Sequence, residues 1–311
     1  MQDNARKITY GAMMIAIFVI MLAISVYVPL LGAVMSLFIP LPILLYRLRY
    51  DRAASILVMI TGTVVSLIGG LALFPVAILF GTIGLVIGDT IKSGKSKLYT
   101  SMASGLTIII ITILTYVASI FLLGINVIEE SIKLLGEAQE ELFLAVEKYG
   151  DIPEKVREQA ELSMDLTLAV IPSAFMISSF SSAFIIVLLN LAIAKKLGHT
   201  VSNFPPFREM KLPLLTVWFY LLILLLPFFT TVEEGTTFYL IVINATFIFR
   251  FLFILQGISF IHHYLYEMKL PKWVTVISTI IAILLFPITI LLGILDIGMN
   301  IRAWIGRGKS N

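Results

Sequence analysis

The chain has 311 residues, of which 59% are hydrophobic and 13% charged, with a mean hydropathy of +1.03. Soluble domains carry about 25% charged residues, so a water-soluble enzyme is excluded. The formal charge of +3 comes from 22 basic and 19 acidic side chains sorted into separate stretches, a mark of membrane topology rather than of nucleic-acid affinity.

Nine apolar spans can be drawn, at 8–28, 31–46, 53–70, 75–92, 98–124, 166–194, 212–231, 237–266 and 273–295. Each is long enough, or nearly so, to cross a hydrocarbon core about 30 Å thick. A membrane β-barrel would alternate polar and apolar residues over segments of about ten, and Leu106 to Leu123 do not alternate. Helices are what remains, because only they and closed barrels satisfy the backbone in lipid. The expected fold is therefore an all-α polytopic bundle of about eight or nine membrane helices. Cysteine is absent, which removes disulfides and thiolate chemistry.

The first span follows Arg6 and Lys7 and is read as a retained helix, because its small-x-small triplet Ala23-Ile-Ser25 lies inside the apolar run. It carries Ala12 and Ala16, a strip of small side chains that lets another helix approach closely. In the second span Pro40 and Pro42 remove backbone donors and free carbonyls, which must line a cavity or bury against neighbours. A basic turn with Arg47, Arg49 and Arg52 follows, then a third span with Thr61, Thr63 and Ser66. The fourth carries Gly81, Gly84 and Gly88, for which internal packing is the plainer reading. Asp89, at its basic end, is expected to be hydrated beside Lys92.

Basic residues recur at alternate span ends: Arg6 and Lys7, Arg47 to Arg52, Lys92 to Lys97, Lys195 and Lys196 with Arg208 and Lys211, and Lys269 with Lys272. Those ends are expected in the cytoplasm, with the N-terminus. Residues 126–165 form an acidic insert, with eleven acidic and four basic side chains, and are expected outside. Ile128, Ile132, Leu135, Leu142, Phe143 and Val146 recur at helical spacing within it, as in a helix lying on a membrane surface. Asp151-Ile-Pro-Glu154 reads as the start of a further helix running into the sixth span. An odd number of spans would put the basic tail, with Arg302, Arg307 and Lys309, on the wrong side. The last span, broken by Pro287, is therefore a candidate for a re-entrant segment or for an interfacial ending.

Two soluble-type motifs fail on inspection. Ser93-Gly94-Lys95-Ser96 has Asp89 where a phosphate-binding loop needs glycine, and follows a membrane helix instead of a strand. Of His262 and His263 only the latter shares a helical face with Glu267, which is too few ligands for a metal. Neither a cofactor nor a metal is expected, and no enzymatic activity, since no acid–base cluster or nucleophile pair evidently meets at one depth.

Polar residues inside the spans form the candidate site. The sixth span carries a hydroxyl row, Ser173, Ser178, Ser179, Ser181 and Ser182 with Asn190 further in, and the fifth carries Thr107, Thr112, Thr115, Tyr116 and Ser119. These are either bonded to their own backbone or make the polar patch that orients a small solute. Arg250 lies at the middle of a long span, where a charge costs at least about 2.5–3.5 kcal/mol, and is expected to be buried and paired. Its two readings are a counter-charge for an anionic solute or a partner of Asp296, assisted by Asn244 and Gln256, and a structural lock onto carbonyls freed at Pro287.

The alanine strip behind a basic start, the Pro-x-Pro span, the basic turn, the Thr/Gly-rich third span and the Gly-x-x-x-Gly fourth resemble the substrate-binding S-components of energy-coupling-factor transporters, over about residues 5–195. Over its whole length, with Gln256-Gly257 and the closing Leu292-Gly-Ile-Leu-Asp-Ile-Gly-Met-Asn-Ile-Arg302, the chain resembles the bacterial YybS family of multi-pass membrane proteins. The resemblances imply a six-helix core over residues 1–195, including the acidic insert, followed by extra helices over 196–311. They further imply a bacterial cytoplasmic membrane, docking of a transmembrane coupling subunit at Ala12 and Ala16, and ATPases that power uptake of an unidentified small molecule. The alternative is a membrane scaffold or assembly protein that uses the same fold without transport.

Overall fold

The computed structural model describes residues 2–201 and 205–302, and Arg307 and Lys309 of the basic tail lie outside them. Among the described residues every regular element is a helix: α1 (Gln2–Tyr27), α2 (Leu31–Ser36), α3 (Leu41–Arg49), α4 (Arg52–Ser66), α5 (Leu73–Lys92), α6 (Lys97–Leu123), α7 (Val127–Glu147), α8 (Glu154–Ala169), α9 (Ile171–Lys196), α10 (Leu215–Phe229), α11 (Thr237–Glu267), α12 (Lys272–Leu284) and α13 (Phe286–Gly298). Among the described residues seven helical stretches are long and apolar enough to cross a membrane, α2 and α3 counting as one, and α10 is a shorter apolar helix. α12 and α13 make a further pair bent by 106°. The polytopic helical bundle expected from composition is what forms.

Helix ends follow local chemistry. Asp51 caps α4 by accepting the Ala54 amide, Ser96 caps α6 through Tyr99, Asn126 caps α7 through Glu129 and Thr236 caps α11 through Tyr239. α6 stops at Gly124, whose φ of +67° closes the last turn. α8 begins at Glu154, directly after Pro153.

Contacts divide the chain into two compact units, Met1–Pro153 with Ser178–Phe204 and Glu154–Ile177 with Pro205–Asn311. In the first, α1 buries Met14, Phe18 and Leu22 against Ile39, Ile43 and Tyr46 of the proline-broken span and against Val58 and Ala77. A second cluster joins Leu44, Ile83 and Ile87 to Ile186, Val187 and Leu191 of α9. The α5 glycines make this packing possible. A Cβ on Gly84 would meet the Pro40 carbonyl and Ile43, and one on Gly88 would meet the Arg47 stem, so the glycine pair serves internal packing.

In the second unit Val217 and Tyr220 of α10 pack with Phe253 of α11 and with Ile290 and Ile297 of α13. Close approach again needs glycine: a Cβ on Gly257 would strike the Thr289 carbonyl, and one on Gly293 the Phe253 carbonyl. The segment before α10 lies level with the last third of α11, because Ser259 donates to the carbonyls of Phe207 and Met210 at 2.8 and 2.9 Å. α13 returns to this same level, where Arg302 donates to the Arg208 carbonyl at 2.7 Å and Lys211 to Asn300 at 2.6 Å. Since α12 starts just after α11 ends, the bent pair leaves and re-enters one face of the unit. Its shape is that of a re-entrant hairpin rather than of a straight further crossing. Cysteines placed at residues 211 and 300 should therefore react with an impermeant maleimide from the same side of the membrane, and one at 234 from the other. Joint labelling of 300 and 234 would show that the pair crosses.

Candidate functional site

The candidate residues divide into five separate environments. Thr115 donates to the Ile111 and Thr112 carbonyls, Tyr116 to Asn126 at 3.0 Å, and Ser119 to the Tyr116 and Ile125 carbonyls. All three therefore finish α6 and fasten the start of α7. They are occupied by their own backbone and by the α7 cap.

Asn244 does something a sequence cannot show. The α8–α9 junction is interrupted at Val170, ahead of Pro172. There the Asn244 side chain inserts into a missing helical rung: its Oδ1 accepts the Ser173 amide at 2.9 Å and its Nδ2 donates to the Ala169 carbonyl at 2.8 Å. One carboxamide thus replaces one i→i−4 hydrogen bond. Ser173 is buried and donates to the Val170 carbonyl. In the first unit Asn190 plays a similar part, donating at 2.7 Å to the Leu37 carbonyl where the proline-broken span turns from α2 to α3. The Leu37 carbonyl at this break is thus satisfied by a neighbouring helix.

Gln256 and Asp296, both fully buried, form the core of a polar lock. Gln256 accepts the Leu212 amide at 2.9 Å and donates to Asp296 at 2.6 Å. Arg302 grips the same carboxylate through Nε and Nη2, the latter at 2.8 Å, and also reaches Ser259. The four side chains tie α11, α13 and the segment before α10 into one network with every charge paired, the condition under which a buried ion pair is tolerated. Sequence reasoning singled out Gln256 and Asp296 but gave Asp296 the wrong cation.

Arg250 is not buried and not paired. It is exposed, and among the described residues no hydrogen bond or ion pair reaches it. The bend before Phe286 carries α13 back toward the end of α11, so Asp296 meets Gln256, six residues or about 9 Å beyond Arg250 along the helix. Nor do the carbonyls near Pro287 take it, since Thr289 donates to the Ala282 carbonyl at 2.7 Å across the bend. Asp89 likewise differs from expectation. It bridges Arg47 and Arg52 at 2.5 and 2.9 Å, while Lys92 donates to the carbonyls of Arg47 and Tyr50.

Ala12 occupies the fifth environment, an open groove of about 530 Å³ between α1 and α4. Gly11, Ala12, Ala53 and Ala54 make its floor small, and Ile8 and Leu57 stand exposed on its rim. Close approach of the two helices rests on Gly11, where a Cβ would lie 3.2 Å from Val58. Ala16 is exposed one turn further along α1. At the mouth Lys7 and Asp51 pair at 2.5 Å. The Lys7 hydrogen bond, and next the Ala54 amide, hold the Asp51 carboxyl down to about 2.

Two outcomes follow from these arrangements. Asp296→Ala leaves Arg302 buried without its counter-charge and should cost about 3–5 kcal/mol, read as a large drop in Tm in detergent, whereas Arg250→Ala should melt like the parent. Equal drops in both variants would contradict the placement of Arg250. At the groove mouth, a depressed carboxyl stabilises the fold above its unfolded value of 3.8, and the effect is lost as pH falls toward 2. Carboxyl NMR should show the Asp51 midpoint near 2 and its return toward 3.8 in Lys7→Met.

Comparison with known proteins agrees with this membrane architecture. The family model described as "Predicted membrane protein (DUF2232)" matches residues 16–297. The protein described as "Uncharacterized protein YybS" of Bacillus subtilis (strain 168) is 30% identical over 306 residues, covering 96% of this chain and 98% of that one. No solved structure matches. With the family model spanning nearly all of the helical region, the chain belongs to the DUF2232 family of predicted membrane proteins.

Proposed function

We propose that the chain is a non-enzymatic subunit of a membrane assembly, set in the bacterial cytoplasmic membrane with its N-terminus inside, and that its working surface is the α1–α4 groove. The observation that carries this reading is the groove floor. Ala12 and Ala53 are exposed, Gly11 and Ala54 lie beside them, and Ile8 and Leu57 are left uncovered at the rim. Without a hydrophobic drive between helices in lipid, association depends on packing, and small side chains let backbones approach. The groove therefore suits the flank of a partner's transmembrane helix. The inside assignment rests on the basic helix ends at Lys7, Arg47 to Arg52, Lys92 to Lys97 and Lys195 to Lys196.

A finer reading makes the partner a transmembrane coupling subunit with ATPases, and this chain a substrate-binding, S-component-like subunit for uptake of a small solute. The position of Ala12 in the groove favours it. The polar candidates favour the alternative of a scaffold or assembly protein, since Thr115, Tyr116, Ser119, Asn244 and Gln256 are taken up by intramolecular bonds. Purification from native membranes in mild detergent tests both. The parent chain should retain a stoichiometric membrane partner that the Ala12→Leu, Ala16→Leu double variant loses while keeping its Tm. Coupling and ATPase subunits in the retained complex select transport, and their absence from it selects assembly. Retention of the partner by the variant refutes docking at the groove.

A further inference from the structure

Arg250 poses a problem that the chain does not solve by itself. α11 is 31 residues long and carries interfacial aromatics at both ends, Tyr239 at one and His262, His263, Tyr264 and Tyr266 at the other. Arg250 is eleven residues from Tyr239 and twelve from His262, or about 17 and 18 Å of helix. Arginine cannot carry its charge to a headgroup over that distance by snorkelling. It is exposed at mid-depth in an apolar helix, where a charge costs at least about 2.5–3.5 kcal/mol.

Among the described residues no counter-charge reaches Arg250. Asp296 is closed by Arg302 and Gln256, and Asp89 by Arg47 and Arg52. Every other carboxylate in the sequence lies in the acidic insert, in a connection or at a helix end. A second copy fails as well, because a symmetric contact along this face would set one Arg250 against another. The exposed surface around Arg250 is also ordered like a helix-packing seam. Leu240, Ile243, Phe247 and Arg250 are spaced three, four and three residues apart, and Leu240 and Phe247 are each 40% exposed. That spacing follows the roughly 3.5-residue period of left-handed helix pairing.

We propose that this face of α11 receives a transmembrane helix of another protein carrying an aspartate or glutamate at mid-membrane depth, which pairs with Arg250. The pairing explains why a lone cation persists on a lipid-depth surface, and the apolar seam supplies the flanking contact. This surface is separate from the α1–α4 groove and stands whether or not that groove docks a partner.

The test uses the full chain in native membranes with a photo-crosslinking amino acid at Phe247, combined with native Arg250, Arg250→Lys or Arg250→Gln. The expected adduct maps by mass spectrometry to a transmembrane helix of a different protein, within one turn of a mid-span carboxylate. Its yield should persist with lysine and fall about tenfold with glutamine, equivalent to about 1.4 kcal/mol. Charge exchange, Arg250→Glu with arginine in place of the mapped acid, should restore it. Adducts only to lipid, to this chain or to a helix without a carboxylate overturn the proposal, as does an unchanged yield with glutamine or no adduct at all. Should the glutamine variant fail to fold, the map obtained with native Arg250 decides alone.

Discussion

The constraint on which this structure depends is that a helix broken at membrane depth must have its backbone groups satisfied by protein, because lipid offers no donors or acceptors. The chain breaks its helices repeatedly. One break lies within a span, between α2 and α3 at Pro40 and Pro42, another at the start of a span, between α8 and α9 before Pro172, and a third between α12 and α13 before Pro287. Each is repaired by a polar side chain. Asn190 takes the Leu37 carbonyl, Asn244 inserts between Ala169 and Ser173, and Thr289 takes the Ala282 carbonyl. Gln256 does the same for the extended lead into α10 by accepting the Leu212 amide. The in-span amides that look like solute ligands in sequence are the stitches of an irregular backbone.

This use of polarity also explains where charge is tolerated. Asp296 is fully buried and needs full compensation, which it obtains from Arg302 with the help of Gln256 and Ser259. The Arg47–Asp89–Arg52 bridge sits at helix ends, where Arg52 stays largely exposed and the pair can be hydrated. A buried pair of this kind adds little to net stability but penalises any arrangement that separates its members. Its effect is to specify one packing of α13 on α11, which the glycine contacts at Gly257 and Gly293 then make close.

Fold class and most helix boundaries were legible in the sequence because apolar runs, caps and basic ends are local signals. The second span was drawn whole, and its prolines marked the break correctly. The last span is legible as broken and as a candidate for re-entry, but what fixes its return, Arg302 donating to the Arg208 carbonyl, is a contact 94 residues apart that local signals do not reveal. The candidate site was less legible. Asp296 was matched to Arg250 because both lie in late spans, and linear order does not reveal that a 106° bend places Asp296 beside Gln256 and Arg302. Asn244 was recognised as polar, but its role depends on a helix junction some 70 residues away, with which it bonds at Ser173.

Arg302 and Arg250 then separate what stabilises the chain from what remains for others to use. Arg302 has its donors spread over a carboxylate, a carbonyl and a hydroxyl, so little of its bonding capacity is left over. Arg250 has all of it left, on an apolar face with a packing period. A side chain retained only for folding would be expected to follow the first pattern, because an uncompensated charge at that depth lowers the stability of the isolated subunit. The second pattern makes sense when the compensation is external. By the same reasoning, under the proposed role, the small-residue groove on α1 and the cationic seam on α11 are features whose cost or incompleteness in the single chain would be offset on association.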